Sequence, residues 1–226
     1  MSSHSRSLGD RGQGACRPAG AGAVPDGHAD RCGVVMTLPA GPFGCILADP
    51  PWSFNTWAHD GQIACRTAAS HYPTMDQDAM EALPVRDVAS KDCALFMWVV
   101  DAQFDEALRL GQAWGFTFKT CAFVWVKSKP GGWPHVGMGY WTRKQTEQCW
   151  LFTRGSPKRL DKGVQQVIHC PRGAHSAKPE QQYGLIERLV GGPYLEMFAR
   201  TTKPGWTAWG NQVGVRDDSL FAEVGL

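Results

Sequence analysis

Apolar residues gather along this chain in short unbroken runs, such as Cys45-Ile46-Leu47-Ala48, Cys93 to Val100 and Ala122 to Val126. Unbroken runs bounded by glycine, proline and polar residues are the pattern of strands buried on both faces, as parallel sheets prefer. They predict strands over 44–48, 93–100, 116–126, 147–153, 164–169 and 194–199. Between them the spacing turns helical. Thr74-Met75-Asp76-Gln77 reads as a capping box opening a helix through about Ala82, which Pro84 breaks. Phe104, Ala107, Leu108 and Trp114 share a face of a helix over 102–114, with Gly115 past its end. Pro179 suits the first turn of a helix over 179–190, which puts Tyr183, Ile186, Leu189 and Val190 on one side. Strands alternating with helices predict an α/β fold with a single doubly wound, mostly parallel sheet.

Outside this pattern, the first 35 residues or so are rich in Gly, Ala, Ser, Arg and Pro without periodicity. They predict a disordered segment over 1–38, a folded domain over 39–215 and a loose tail over 216–226. Met36, followed at once by foldable sequence, is a candidate true start.

Composition narrows the classes. A chain of 226 residues, 43% hydrophobic and 19% charged, is ordinary for one soluble globular domain. No apolar run approaches the ~18 residues that span a bilayer, and no apolar leader opens the chain, so the expectation is cytoplasmic, without a membrane. None of the eight cysteines forms a Cys-x-x-Cys pair. They read as reduced, buried thiols, and His169 and His175 lack ligand spacing, so no metal is expected. No G-x-G-x-x-G, P-loop, G-x-S-x-G or H-E-x-x-H is present, which disfavours dinucleotide, nucleotide-hydrolysing, serine-hydrolase and zinc-protease chemistry. From Lys127 to Arg172, nine Lys/Arg face two acids, a segment of +7 in a chain of +2, so the rest carries −5. A basic block on an acidic body points to a polyanionic partner such as nucleic acid.

The strongest chemical signal is Leu47-Ala48-Asp49-Pro50-Pro51-Trp52. Two prolines stop strand pairing directly after the apolar run, because each lacks a backbone N–H and fixes φ. Asp49 is thereby placed at the carboxyl end of a buried strand, where open α/β sheets bind ligands. An acid, the rigid carbonyls of Pro50 and Pro51 and the flat ring of Trp52 suit a planar base held by its amino group. The structural alternative is a capped strand end followed by a core tryptophan. The loop 127–146 carries Tyr140, Trp141, Arg143 and Lys144, an aromatic and basic group suited to phosphates and stacked bases.

Taken in order, these pieces resemble the eukaryotic mRNA adenosine methyltransferases, the m6A writer family, and their bacterial and phage relatives. The matching stretches are Ala48 to Trp52, His71 to Met75, Ala94 to Trp98, Trp125-Val126-Lys127, Gly139 to Trp141 with Arg143 and Glu147, and His175 to Pro179. Ile186 to Leu189, Leu195 to Arg200, Pro204 to Trp206 and Trp209 to Gln212 complete the series over about residues 42–213. The resemblance implies a permuted Rossmann-like methyltransferase fold, in which the catalytic motif precedes the strand that holds S-adenosyl-L-methionine. It implies that Asp49 and the Pro50 carbonyl bind the adenine 6-amino group, while Trp52 and Tyr72 hold the ring. Lys178 would meet the methionine part of the cofactor, and Glu196, Met197, Arg200, Asn211 and Gln212, with Asp49, would line its pocket. The loop Arg200 to Trp206 is short beside the eukaryotic one, so its contacts do not carry over. The expected activity is adenine-N6 methylation of nucleic acid. DNA is favoured by the short stand-alone chain, RNA is the alternative, and a homodimer is a possible assembly. Two rivals stand beside it: methylation of another planar amino group, such as the cytosine 4-amino or a glutamine amide, and a catalytically silent nucleic-acid-binding partner subunit.

Overall fold

The structure, a computed structural model, describes residues 37–52, 75–137, 139, 141–173, 177–211 and 213. The predicted disorder through residue 36, the Thr74 cap and the tail over 216–226 lie outside the described residues.

The elements follow as β1 (Phe43–Ala48), α1 (Gln77–Glu81), α2 (Val85–Val88), β2 (Ala89–Val99), α3 (Phe104–Ala113), β3 (Thr117–Ser128), β4 (Thr146–Arg154), β5 (Val167–Pro171), α4 (Gln181–Leu189), β6 (Tyr194–Met197) and β7 (Trp206–Trp209). The strands form one seven-stranded sheet in the order β5-β3-β4-β2-β1-β6-β7. Every neighbouring pair is parallel except those made by β4, which runs against both β2 and β3. The carboxyl ends of the six parallel strands therefore share one edge of the sheet with the amino end of β4.

Side chains alternate across the pleat and feed two cores. Ile46, Ala48, Leu95 and Met97 pack on one face with Met80, Val85, Val88, Ala107, Leu110 and Trp114 from the region of α1 to α3. Cys45, Leu47, Ala94, Phe96 and Trp98 pack on the other with Tyr183, Ile186 and Val190 from α4. Helices thus cover both faces, which is why the central strands read as unbroken apolar runs.

Differences from the expected elements have local causes. The first helix is capped by Asp76, whose carboxylate accepts the Ala79 N–H at 2.7 Å. Pro84 does end it, but the same proline also leads directly into the short α2, which the proline as breaker had hidden. The segment Trp206–Trp209 is a strand, parallel to β6, with both tryptophans buried and Thr207 exposed. Gly115 takes φ 86 and lets the chain leave α3, as its place past the helical pattern predicts.

Candidate active site

Asp49 is the first residue past β1, on the edge where the parallel strands end. Lys178 arrives from the segment just before α4, anchored by the buried Pro179. Its Nζ donates to Asp49 Oδ1 at 2.7 Å and to Oδ2 at 2.6 Å. The same ammonium lies 3.6 Å from Oε2 of Glu147, the second residue of β4. Glu147 Oε1 in turn takes a close ion pair from Lys127, at the end of β3. Four charges of alternating sign are therefore strung along the edge in the order Asp49, Lys178, Glu147, Lys127. Two indoles back the cations: Lys178 Nζ sits 5.6 Å from the Trp98 ring centroid, and Lys127 Nζ sits 5.0 Å from that of Trp125. Burial alone would lower the Lys178 pKa, yet Asp49 and then Glu147 outweigh it and hold it above the ordinary lysine value. Burial likewise works to raise Glu147, but Lys178 and Lys127 together hold its carboxyl below the usual range. Both Lys178 and Glu147 stay ionised.

Pro50 and Trp52 form a short turn, in which the Trp52 N–H donates to the Pro50 carbonyl at 2.8 Å. That leaves the carbonyl one further lone pair. The Trp52 indole is 6% exposed, and its N–H donates to the Trp98 carbonyl at 3.0 Å. Trp98 Nε1 donates to Oε1 of the buried Gln182 at 2.7 Å. The chain Trp52–Trp98–Gln182 ties the acid-bearing turn to α4 through the sheet. Trp52 is thus a core tryptophan beside the acid, while Pro51 is half-buried.

Glu196 stands on the neighbouring strand β6, in register with Leu47. The Tyr183 hydroxyl donates to its Oε1 at 3.0 Å. Its Oε2 is buried with no hydrogen-bond partner among the described residues. Burial pushes Glu196 up to about 7, with Tyr183 working against the rise and the Asp49 charge adding to it. Beyond Met197 the chain turns sharply: Phe198 holds φ 61, a left-handed conformation uncommon outside glycine. The Ala199 N–H then docks on the Trp209 carbonyl at 3.0 Å. This turn brings in the half-buried Arg200, whose charge acts on Lys178. The Met197 side chain is fully buried in the core, so only its backbone faces the edge. Asn211 follows β7 and is exposed.

The structure thus brings Asp49, Lys178, Glu196 and Arg200 to one edge. Tyr72, Tyr140 and Gln212 lie outside the described residues. Trp141 and Arg143 are exposed on the connection between β3 and β4, and Lys144 pairs with Asp101 at 3.3 Å. The basic block expected over 127–172 is not one surface. Because β4 is antiparallel, Arg154 pairs opposite Cys93 near the start of β2, and Leu160 bonds the Leu189 carbonyl at the end of α4. Lys158, Arg159 and Lys162 therefore sit at the opposite edge from Asp49. The sequence reading places Tyr183 only on a helix face, uses Lys127 only as a matched position and as the first cation of the basic block, uses Glu147 only as a matched position and an acid within that block, and gives Gln182 no role. An opposite pair at the adjoining ends of two strands was the available signal.

An ammonium beside a carboxylate suits a zwitterionic head group, and a buried, unsatisfied carboxylate oxygen one strand away suits a hydroxyl donor. The MT-A70 family model matches residues 43–212. The Type II methyltransferase M.MunI of a Mycoplasma species is 31% identical over 80% of this chain and 82% of its own length. The N(6)-adenosine-methyltransferase MT-A70-like protein of Drosophila melanogaster is 31% identical over 78% of this chain. The human N(6)-adenosine-methyltransferase catalytic subunit METTL3 is 28% identical over 76% of it. The chain spans only 28% of the length of each of these last two. This chain belongs to the MT-A70 family, whose members include the adenine-N6 methyltransferases named above.

Proposed function

We propose that this chain transfers a methyl group from S-adenosyl-L-methionine to the N6 amino group of adenine in nucleic acid, DNA in preference to RNA. The preference for DNA follows the likeness to the Type II methyltransferase, which is matched over most of both chains. The observation that carries the reading is the Asp49–Lys178 pair, set on the ligand-binding edge beside the unsatisfied Glu196. The order of these parts also supports a permuted Rossmann-like methyltransferase fold: Asp49 comes early in the chain and Glu196 late, yet β1 and β6 are neighbours.

The residues present fit the cofactor. Glu196 Oε2 lacks the donor that a ribose hydroxyl would supply, and Lys178 and Asp49 would meet the carboxylate and ammonium of its methionine part. Arg200, Asn211 and Gln212 would border its ribose and adenine. When bound, the cofactor supplies an electrophilic methyl group on a sulfonium.

The substrate amine needs help because its lone pair is delocalised into the adenine ring. Asp49 and the free lone pair of the Pro50 carbonyl accept its two N–H groups and favour a pyramidal nitrogen with an available pair. The stiffness of the proline turn keeps these acceptors preorganised, so most of the rate gain is positioning. Lys178 engages both Asp49 oxygens in the free protein, so binding of the base draws one oxygen away. Glu147 stands 3.6 Å from the same ammonium and takes up the contact that Asp49 gives up. Asp49 orients the amine first and accepts its proton once the nitrogen has become cationic. In a duplex the adenine must leave the stack, at a cost of a few kcal/mol, so single strands react faster.

Asp49→Ala abolishes methyl transfer and largely preserves cofactor binding. Mass spectrometry of nucleosides from matched single-stranded DNA, duplex DNA and RNA, each incubated with wild type and variant, checks this. Full activity in the variant ends the mechanism. N4-methylcytosine in place of N6-methyladenine moves the protein to the rival amino-group chemistry.

A further inference from the structure

The connection between β3 and β4 is folded rather than open. In its first turn, Lys129 N–H donates to the Trp133 carbonyl at 2.7 Å, Gly132 N–H to the Lys129 carbonyl at 3.0 Å, and His135 N–H to the Lys127 carbonyl at 3.1 Å. In its second, Gly137 and Lys144 pair across a hairpin, with Gly137 N–H on the Lys144 carbonyl at 2.8 Å. The Lys144–Asp101 pair ties this hairpin to the residues just past β2, and the Lys127–Glu147 pair closes its base.

Each turn holds one indole in solvent: Trp133 is 75% exposed and Trp141 is 97% exposed. A tryptophan left in water forgoes the largest burial gain any side chain offers, and here two do so. From Ser128 to Thr146 the chain has Lys129, Arg143 and Lys144 and no Asp or Glu. Both ends of the connection lie on the Asp49 edge, because β3 ends there and β4 begins there. Flat aromatic faces between cations, with every acid excluded, are complementary to bases and phosphates. An aliphatic patch would instead have suited a protein partner.

We propose that Trp133 and Trp141 are stacking platforms for the nucleotides flanking the target base of a single-stranded polynucleotide, with Lys129 and Arg143 meeting its phosphates. This rests on the reading of the chain as a nucleic-acid methyltransferase and adds Trp133 and Lys129 to the residues that grip the strand. Stacking accepts any base, so the loop sets strand geometry rather than sequence. It rewards bases already free of a duplex.

The test measures affinity for a short fluorescein-labelled single-stranded oligodeoxynucleotide carrying one adenine, by anisotropy. Trp133→Ala and Trp141→Ala each weaken binding by about 5- to 150-fold, the range for loss of one stacked base, and the Phe substitutions restore most of it. Lys129→Ala flattens the salt dependence of binding instead. Binding of S-adenosyl-L-methionine by calorimetry confirms that each variant is folded. Wild-type affinity in both Trp→Ala variants overturns the proposal. So does a loss confined to self-association in sedimentation, which reassigns the loop to an interface between copies. Turnover by the wild type on the same oligonucleotide is read separately. Binding that depends on both indoles without any N6-methyladenine formed would sink the methyltransferase reading and leave this one standing.

Discussion

Asp49 and Glu196 are carboxylates on adjacent parallel strands, at the same edge of one sheet, yet they live in opposite electrostatic surroundings. Asp49 is gripped through both oxygens by Lys178, which is itself held by Glu147 and backed by the Trp98 ring. Glu196 receives one hydroxyl from Tyr183 on Oε1, and its Oε2 is buried without a donor. One carboxylate is complete in the free protein, and the other is left one hydrogen bond short. Topology places both acids. The cation beside each decides which is a poised acceptor and which is a vacancy for a ligand's hydroxyl. A buried polar atom without a partner costs about 1–3 kcal/mol, a cost that a ligand's hydroxyl donating to Glu196 Oε2 would recover.

The largest expected effect comes from removing the cation that makes Asp49 different. Lys178→Met leaves Asp49 without its donors and Glu147 with Lys127 alone. Turnover falls by about 100-fold or more, the scale of losing one preorganised charge contact at a reacting centre. Steady-state methylation with tritiated cofactor measures it. If the variant keeps activity within about tenfold, the charge chain serves stability and not chemistry.

Next comes the pH response of Glu196. Its folded-state value, about 7, lies above the ordinary 4.5. Between those values the native protein holds a proton that the unfolded chain has released. Stability therefore falls as pH rises through that window and levels off above about 7. Allowing for partial exposure, the change is on the order of 1–2 kcal/mol. Glu147, held low, contributes its own loss only as pH drops beneath the window, so the two do not cancel. Thermal melts at stepped pH show the slope in wild type, and Glu196→Gln removes it. Cofactor binding runs the other way: a hydroxyl donor favours the ionised form, so affinity weakens as pH falls below about 7 and binding releases protons. Calorimetry in buffers of different ionisation enthalpy counts them. A pH-independent affinity would show that nothing donates to Glu196.

What the sequence made legible divides along the same physical line. The strand under Asp49 was readable because an unbroken apolar run stopped at two prolines, both effects local. Helix α3 was readable from its spacing and Gly115. The direction of β4 was not, since Cys149 to Phe152 is equally apolar whichever way it runs. That single reversal carried Lys158, Arg159 and Lys162 to the far edge and split the predicted basic surface. Strand β7 was hidden because Trp206-Thr207-Ala208-Trp209 is only four residues between glycines. Glu196 was named through the family likeness, but Tyr183 read as an ordinary core-facing position on α4. Its hydroxyl gains meaning only from a carboxylate 13 residues later in the chain.

Tyr183→Phe sharpens the comparison at a smaller scale. It deletes the donor to Glu196 Oε1 and keeps the ring that packs edge-on to Trp206 at 5.2 Å. Glu196 titrates higher still, and cofactor affinity at neutral pH drops by about 3- to 10-fold, the net scale of one ordinary hydrogen bond. At pH well above the shifted value most of that loss returns. A loss that is constant with pH would mean that Tyr183 acts through packing.

The smallest effect falls on Lys203, a cation whose charge acts on Glu196. Lys203 pairs with Glu180 at 2.9 Å and lies 5.0 Å from the Tyr183 ring centroid. It resembles Lys178 on paper, a lysine beside a carboxylate and over an aromatic ring. The difference is solvent: the Lys203 and Glu180 side chains are 37% and 76% exposed, so water screens the pair. Its pull on Glu196 is weaker than burial, the Tyr183 bond and the Asp49 charge. Lys203→Met is expected to move stability by no more than about 0.5 kcal/mol and cofactor affinity by less than about twofold. The same melts and calorimetry measure both. Should this variant instead shift the Glu196 pH window as strongly as Tyr183→Phe, Lys203 would be serving Glu196 as Lys178 serves Asp49. The contrast between the two carboxylates would then rest on which cation swings in, not on which one is present.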